Sequence, residues 1–330
     1  MTSRSVVPNS DPSEGDEPTT FSAPFMIVDD FLPKADADAM RSGIEAHFGQ
    51  PHLHSPESHQ VWNYWHVPGL YTYLRTTPEK VIERALVESF FETLAAWARR
   101  TLGLGSVTWP FLSLYVDGCE QTLHNDSTNG RFGFVYSLTA DRRTTSGGET
   151  IVLKEGDLFR ANMGRPCAGR DMFDLIEPSF NRLTLFDDRM PHGVKRVEGP
   201  MDPLEGRFVL HGHISESGPM VAGALEVDAV LRPVRERLEP LLADVRRIAA
   251  LHHGPVVLRF TIEPSGAVSR VDRLVDRLAR EDGERVTGLV DKVLERVRSM
   301  RFAKSPGSTE VTMPLLFGGQ LAWMRRPAQP

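Results

Sequence analysis

The sequence predicts an α+β chain of two units: a β-sandwich or barrel flanked by helices, then a smaller α+β unit. Three observations predict this. The chain has 330 residues, whereas one domain usually takes roughly 100–200. Helix-period segments before Pro110 give way to short strand-like runs up to Ile214. A turn-rich break, Ser215-Glu-Ser-Gly-Pro219, then precedes a second helix-and-strand pattern.

Taken in order, residues 1–20 are rich in Pro, Ser, Asp and Glu and are expected to form a disordered tail. Phe25–Val28 is a short apolar strand, and Asp29–Pro33 a turn. A helix is expected over 35–48 through Ala39, Met40, Ile44 and Phe48. A second, over 78–102, carries Val81, Ile82, Leu86, Phe90, Leu94 and Trp97 on its face, and Gly103 and Gly105 end it. Between them lies an aromatic loop, 62–73, which either lines a ligand or packs onto the scaffold. Strands are expected at 111–116, 132–138, 150–153, 156–161, 182–186 and 207–214. Beyond the break, a helix over 224–251 should be interrupted at Pro233 and Pro240. His252 and His253 follow at its end. Strands near 256–262 and 268–275, a helix over 284–300 and a strand over 311–317 complete an α-β-β-α-β unit. The expected division is a unit over 21–217, a second over 218–318, and a tail over 319–330.

Composition narrows the function. The 38 Lys and Arg against 44 Asp and Glu leave a net charge of −6, which speaks against a nucleic-acid partner. No apolar run approaches the ~20 residues of a membrane span, and the first twenty residues lack the apolar core of a secretory leader. The only cysteines, Cys119 and Cys167, form no CxxC pair. That removes cysteine zinc sites and a disulfide scaffold, and fits a reducing cytoplasm. With eleven histidines, a metal here would be held by His and carboxylate.

His124-Asn125-Asp126 is an HxD element following the strand run FLSLYV. Residues two apart on an extended segment project to one side, so both side chains can reach one ion. His192 comes 66 residues after Asp126, behind the run RLTLFDD, and Arg207 lies fifteen residues further on. Two His and one carboxylate with open positions are the ligand set of non-haem Fe(II) oxygenases. Arg207 offers a planar fork for a carboxylate. His211 and His213 share its strand face through the period of two, so they line a cavity or sit at its rim. His52 and His54 read as a solvated loop.

The stretch from about 24 to 216 resembles the 2-oxoglutarate and Fe(II)-dependent dioxygenases, in particular the prolyl 4-hydroxylase-like branch. The matching pieces are Leu114-Tyr115, His124 with Asp126, Ser146-Gly-Gly-Glu-Thr150, Asn181-Arg-Leu183 leading to Pro191-His192, and Gly206-Arg207. The resemblance implies a double-stranded β-helix (jelly-roll) core with His124, Asp126 and His192 as iron ligands. It implies that Arg207 pairs with the distal carboxylate of 2-oxoglutarate and that Tyr115 hydrogen-bonds it. Many relatives have Lys in place of Arg207. O2 is the second co-substrate and ascorbate a reductant. The implied reaction hydroxylates an unactivated C–H bond of a peptide, protein or small-molecule substrate, releasing succinate and CO2. Asp126 excludes a halogenating variant, which needs a halide in that place.

Residues 224–317 resemble the C-terminal domain of the TonB family, through Val257–Val268, Val297-Arg-Ser-Met-Arg-Phe302 and Val311–Phe317. Without a membrane span or proline-rich linker, energy transduction is not expected. The unit reads as a module for a protein partner or a homodimer, or as one that packs on the oxygenase. Two other functions compete with the hydroxylase: an adaptor with a degenerate barrel site, and a cupin-type metal enzyme that does not use 2-oxoglutarate.

Overall fold

The computed structural model describes residues 20–49, 61–126, 129–140, 144–154, 173–248, 252–280, 286 and 288–317. The expected tails, except Thr20, whose hydroxyl donates to the Arg273 carbonyl, lie outside these residues, as do the His52–His54 pair and the strand over 156–161. Among those described, no helix is long and apolar enough to cross a membrane.

The first half comprises β1 (Phe25–Val28), α1 (Lys34–Gly49), β2 (Asn63–Val67), β3 (Tyr71–Thr76), α2 (Arg84–Thr101) and β4 (Ser106–Val107). Eight strands follow: β5 (Phe111–Tyr115), β6 (Glu120–His124), β7 (Phe132–Ser137), β8 (Thr150–Leu153), β9 (Phe173–Ile176), β10 (Leu183–Asp187), β11 (His192–Val194) and β12 (Arg207–Ser215). They pair in two four-strand orders, β10-β7-β12-β5 and β6-β11-β8-β9. Counted from β5, these are 6-3-8-1 and 2-7-4-5, the connectivity of a jelly roll. β3 pairs with both β5 and β6 and so joins the halves into one antiparallel sheet.

Alternation along the strands divides the two faces. Phe132, Phe134 and Tyr136 of β7 and Phe208 and Leu210 of β12 are buried with α1 (Ala37, Met40, Ile44) and α2 (Val87, Phe90, Leu94, Trp97). Arg207, Val209, His211 and His213 take the alternate positions of β12 and face a cavity. Asn181 ties the helical layer to the sheet. It has a φ of 58°, a conformation that Asn tolerates better than most residues. Its side-chain oxygen accepts from the Leu32 N–H at 3.0 Å and the Tyr136 hydroxyl at 2.8 Å, and its amide donates to the Leu32 carbonyl at 2.8 Å.

The second half forms its own sheet, β13-β17-β14-β15, from β13 (Met220–Gly223), β14 (His252–Ile262), β15 (Val268–Asp276) and β17 (Thr309–Phe317), with β16 (Ala279–Arg280) on β14. Two helices, α3 (Val227–Ile248) and α4 (Gly288–Arg298), cover one face, where Val230, Val234, Leu238, Val290, Val293 and Val297 meet Leu258 and Phe260. The other face turns to the first unit. Val257, Leu274 and Val275 are buried in one cluster with Phe21, Leu102 and Leu104. Gly103, at φ 67° after α2, permits this approach: an added Cβ would lie 2.7 Å from Val257 and 2.6 Å from Thr312. Arg259 donates to the Arg99 and Arg100 carbonyls, which closes the C-terminus of α2.

Several elements differ from the sequence expectation. The helix expected from 78 starts as an isolated 3-10 turn, Pro78–Lys80, and α2 begins only at Arg84. Pro78 opens that turn, and Ile82 is buried from the linker rather than from a helix face. The aromatic loop is the β2–β3 hairpin, turned at Gly69 with φ 75°. Helix α3 runs through Pro233 and Pro240 without interruption. Each proline removes one backbone bond at a cost of about 3 kcal/mol, and burial of Val230, Val234 and Leu238 along one face offsets it. His252 and His253 open a strand rather than cap a helix. Strands β4, β6, β9, β11, β13 and β16 are not among those expected.

Replacing Asn181 with Ala strands three buried polar groups. Urea denaturation should show a loss of about 3 kcal/mol or more, and an unchanged midpoint would refute this role.

Candidate metal centre

His124 ends β6, and His192 begins β11 directly opposite it in the ladder. The imidazole rings lie 4.4 Å apart. Each Nδ1 meets a backbone carbonyl two residues upstream, His124 at Thr122 and His192 at Met190, both at 2.9 Å. A carbonyl only accepts, so both Nδ1 atoms carry a proton and both Nε2 atoms are the ones turned to the cavity. Asp126 lies just past β6, its backbone N–H anchored on the Asp188 carbonyl at 2.9 Å. Its Oδ2 is 3.5 Å from Nε2 of His192 and 3.8 Å from Nε2 of His124. The three ligand atoms lie within 4.8 Å of one another, a spacing that one ion with bonds of about 2.1 Å can draw together.

The electrostatics agree with that chemistry. Burial pushes the Asp126 carboxyl up, but His192, His124 and His213 outweigh it and hold it below the usual range. Burial, then the neighbouring His192, lowers His124 and keeps it neutral. Metal binding requires a charged carboxylate and neutral imidazoles.

The cavity that these residues line measures about 710 Å³. Arg207, only 1% exposed, faces Tyr115 across the β5–β12 ladder. Its guanidinium donates to the Thr150 hydroxyl at 3.1 Å and lies over the Tyr115 ring at 4.9 Å. The Tyr115 hydroxyl donates to Gln121 at 3.4 Å, and burial raises its pKa. Trp65, Tyr71 and Tyr73 of the hairpin line the same cavity with Phe111. The 40% exposure of Trp65 and 39% of Phe111 mark the rim.

Thus the structure brings His124, Asp126, His192, Arg207 and Tyr115 to one cavity. His211 and His213 line it too, as the period of two allowed. His213 is the nearer to the triad: its Nδ1 meets Asp188 Oδ2 at 3.0 Å, and its Nε2 lies 4.0 Å from Asp126 Oδ2. Burial works against a charge on His213, but Asp188 more than compensates and raises its pKa. Burial raises Asp188 in turn. Sequence reading missed Asp188, Thr150 and Gln121 as site residues. Thr150 had a signal in the Ser146–Thr150 motif; Asp188 showed only as the last residue of RLTLFDD, with no partner near in sequence.

Neither a family model nor a curated protein matches the sequence. Among solved structures, the chain is similar to a prolyl hydroxylase in complex with a hypoxia inducible factor oxygen degradation domain peptide fragment from Trichoplax adhaerens. The identity is 15%, over 57% of this chain and 82% of that one, with a TM-score of 0.41. It is also similar to a Pseudomonas putida prolyl-4-hydroxylase, at 16% identity over 59% of this chain and 94% of that one, with a TM-score of 0.40.

His211 gives the cavity wall a pH dependence. Its Nε2 meets the Ser113 hydroxyl at 2.8 Å. Burial, then Arg75 and Arg207, draws its pKa from 6.5 down to about 3. Between these values the unfolded chain binds a proton that the folded one refuses. Stability is therefore full above 6.5 and falls as the pH drops through that window. In H211Q, the loss of unfolding free energy between pH 7 and pH 5 should be smaller than in wild type by up to about 2 kcal/mol, read from urea titrations; parallel curves would refute it.

Proposed function

We propose that the protein is a 2-oxoglutarate- and Fe(II)-dependent dioxygenase that hydroxylates an unactivated C–H bond, releasing succinate and CO2. The supporting observation is the convergence of His124, Asp126 and His192, Nε2 atoms inward, on the cavity that buries Arg207. Two imidazole nitrogens and one carboxylate suit Fe(II) and leave positions open. A buried guanidinium beside a hydroxyl suits the far carboxylate of a dicarboxylic co-substrate.

In this reading, oxygenase residues span 21–217 and a separate TonB-like module spans 218–318. Bound iron, with 2-oxoglutarate and O2, supplies the oxidising power for the C–H bond, and ascorbate serves as reductant. The chain's own work is orientation and exclusion of water. His124 and His192 bind through Nε2, aligned by the Thr122 and Met190 carbonyls. Asp126 supplies the third ligand. Arg207 and Thr150 hold the co-substrate's distal end, with Tyr115 packed beneath the guanidinium. The aromatic hairpin borders the opening through which a peptidyl side chain or amino acid enters. The module offers a surface for a protein partner or a second copy, and scarce cysteine suits a cytoplasmic setting.

A second reading, a metal enzyme that does not use 2-oxoglutarate, rests on His213, a third imidazole near Asp126. One set of experiments separates the two. The purified protein with Fe(II), ascorbate, 2-oxoglutarate and candidate peptides should form succinate. H124A and D126A should bind Fe(II) at least about 100-fold more weakly. R207Q should keep the metal but bind 2-oxoglutarate about 100-fold more weakly. N-oxalylglycine should compete with 2-oxoglutarate in wild type. Normal Fe(II) affinity in H124A would sink the ligand assignment. Bound iron with neither succinate nor N-oxalylglycine binding would favour the second reading.

A further inference from the structure

We infer that the C-terminal unit is part of the metal centre's framework, with Arg277 as a positioning residue that acts through the turn over 187–191. The inference rests on the metal-site reading above. It arises from what that turn holds on each side.

On one side the turn grips the second unit. Asp187 closes β10 and is wholly buried. Its Oδ2 accepts from Arg277 Nε at 3.0 Å and Arg189 Nη2 at 2.5 Å, and its Oδ1 from Arg189 Nε at 2.9 Å and the Arg189 N–H at 3.0 Å. Arg277, 2% exposed, also donates to the Ser22 carbonyl at 2.8 Å and reaches Met190 Sδ at 3.8 Å. Arg189 donates back across the junction, to the Arg277 carbonyl at 2.8 Å and the His253 carbonyl at 3.0 Å.

On the other side, the same few residues serve the candidate centre. The Met190 carbonyl fixes the His192 ring, the Asp188 carbonyl anchors the Asp126 N–H, and the Asp188 carboxyl holds His213. Met190 N–H bonds to the Asp187 carbonyl at 2.8 Å, so the gripping and orienting residues share one tight turn. Without Arg277 the buried carboxylate keeps its Arg189 bonds but loses half of its balancing charge and its side-chain donor from the second unit, so it would relax toward Arg189. Any shift of Asp187 moves the carbonyls that aim the ligands. Outer partners of ligating histidines set their orientation, and here the turn that supplies one of them is gripped by a residue 90 positions away in the other unit.

The test uses the full-length chain in three forms: R277Q, R277K, and V293A as a control that weakens the second core away from the junction. Two readouts are taken at a temperature where circular dichroism shows all forms folded. The first needs no metal: 15N NMR of the histidine side chains reports which His192 nitrogen carries the proton. R277Q should lose the pure Nδ1–H form, R277K should partly restore it, and V293A should keep it. The second is Co(II) titration: R277Q should bind at least tenfold more weakly with an altered d–d spectrum, and V293A like wild type. Wild-type His192 signals and Co(II) affinity in R277Q would overturn the inference, as would equal losses in R277Q and V293A. Should R277Q fail to fold, R189Q cuts the same junction from the other side and carries the same expectation. A wild-type chain that binds no Co(II), while His192 still responds to R277Q, would sink the metal reading and leave the coupling standing.

Discussion

The antiparallel register of β6 against β11 governs the rest of the site. It sets His192 opposite His124, and a shift by one residue would send one of the rings to the other face of the sheet. The strands approach closely at the next position. The ladder has an irregularity there, and a Cβ on Gly193 would lie 2.4 Å from the Gln121 carbonyl, so only glycine allows so close an approach. With the register fixed, extended backbone does the aiming: each ring reaches the carbonyl two residues before it. The same local geometry used twice turns two Nε2 atoms to one side of the sheet. Asp126 needs separate anchoring because it stands beyond the end of β6, and the Asp188 carbonyl provides it.

That anchoring makes the turn after β10 the second determinant. Charged residues are rarely buried unless paired, yet Asp187, Asp188, Arg207 and Arg277 all lie at 3% exposure or less. Three of these four belong to the turn or to its grip. The junction between the units is therefore polar where it nears the candidate centre and apolar at Phe21, Val257 and Leu274. Apolar burial supplies adhesion without direction; the guanidinium–carboxylate contacts supply direction.

Sequence patterns report burial against an apolar core, and this decides what was legible. Strands β5, β7, β10 and β12 bury apolar side chains against the helices and were found within a residue or two. Strand β6, Glu120-Gln-Thr-Leu-His124, has no buried residue because its side chains face a cavity or solvent, so it carries no apolar signal. Strand β11 has three residues, too few for any period to show. His124, Asp126, His192 and Arg207 stood out as residue types at a suggestive spacing. Asp188 and Arg277 did not, because their partners, His213 and Asp187, are 25 and 90 residues away. Nothing local distinguishes a buried carboxylate from a solvated one. The prolines of α3 misled for a related reason: local cost was visible, whereas the packing that offsets it belongs to the folded unit.

The charge balance of the cavity ties its parts to one class of co-substrate under the proposed function. His124 is held neutral, Asp126 is held ionised, and Arg207 is charged at any ordinary pH. A divalent ion, Asp126 and Arg207 would leave two positive charges in the inner part of the cavity, and Arg75 adds a third nearer the rim. A monoanion would cancel one of them and leave the buried guanidinium or the ion without its complement, which is costly away from water. In the proposed function a dicarboxylate would cancel both inner charges, with one end at the metal and the other at Arg207, whose guanidinium donates to Thr150. The burial of Arg207 thus selects for the charge and the orientation of what binds. The hairpin aromatics at the rim contribute apolar surface, and Arg75, stacked over the Trp65 and Phe111 rings, adds one positive charge there.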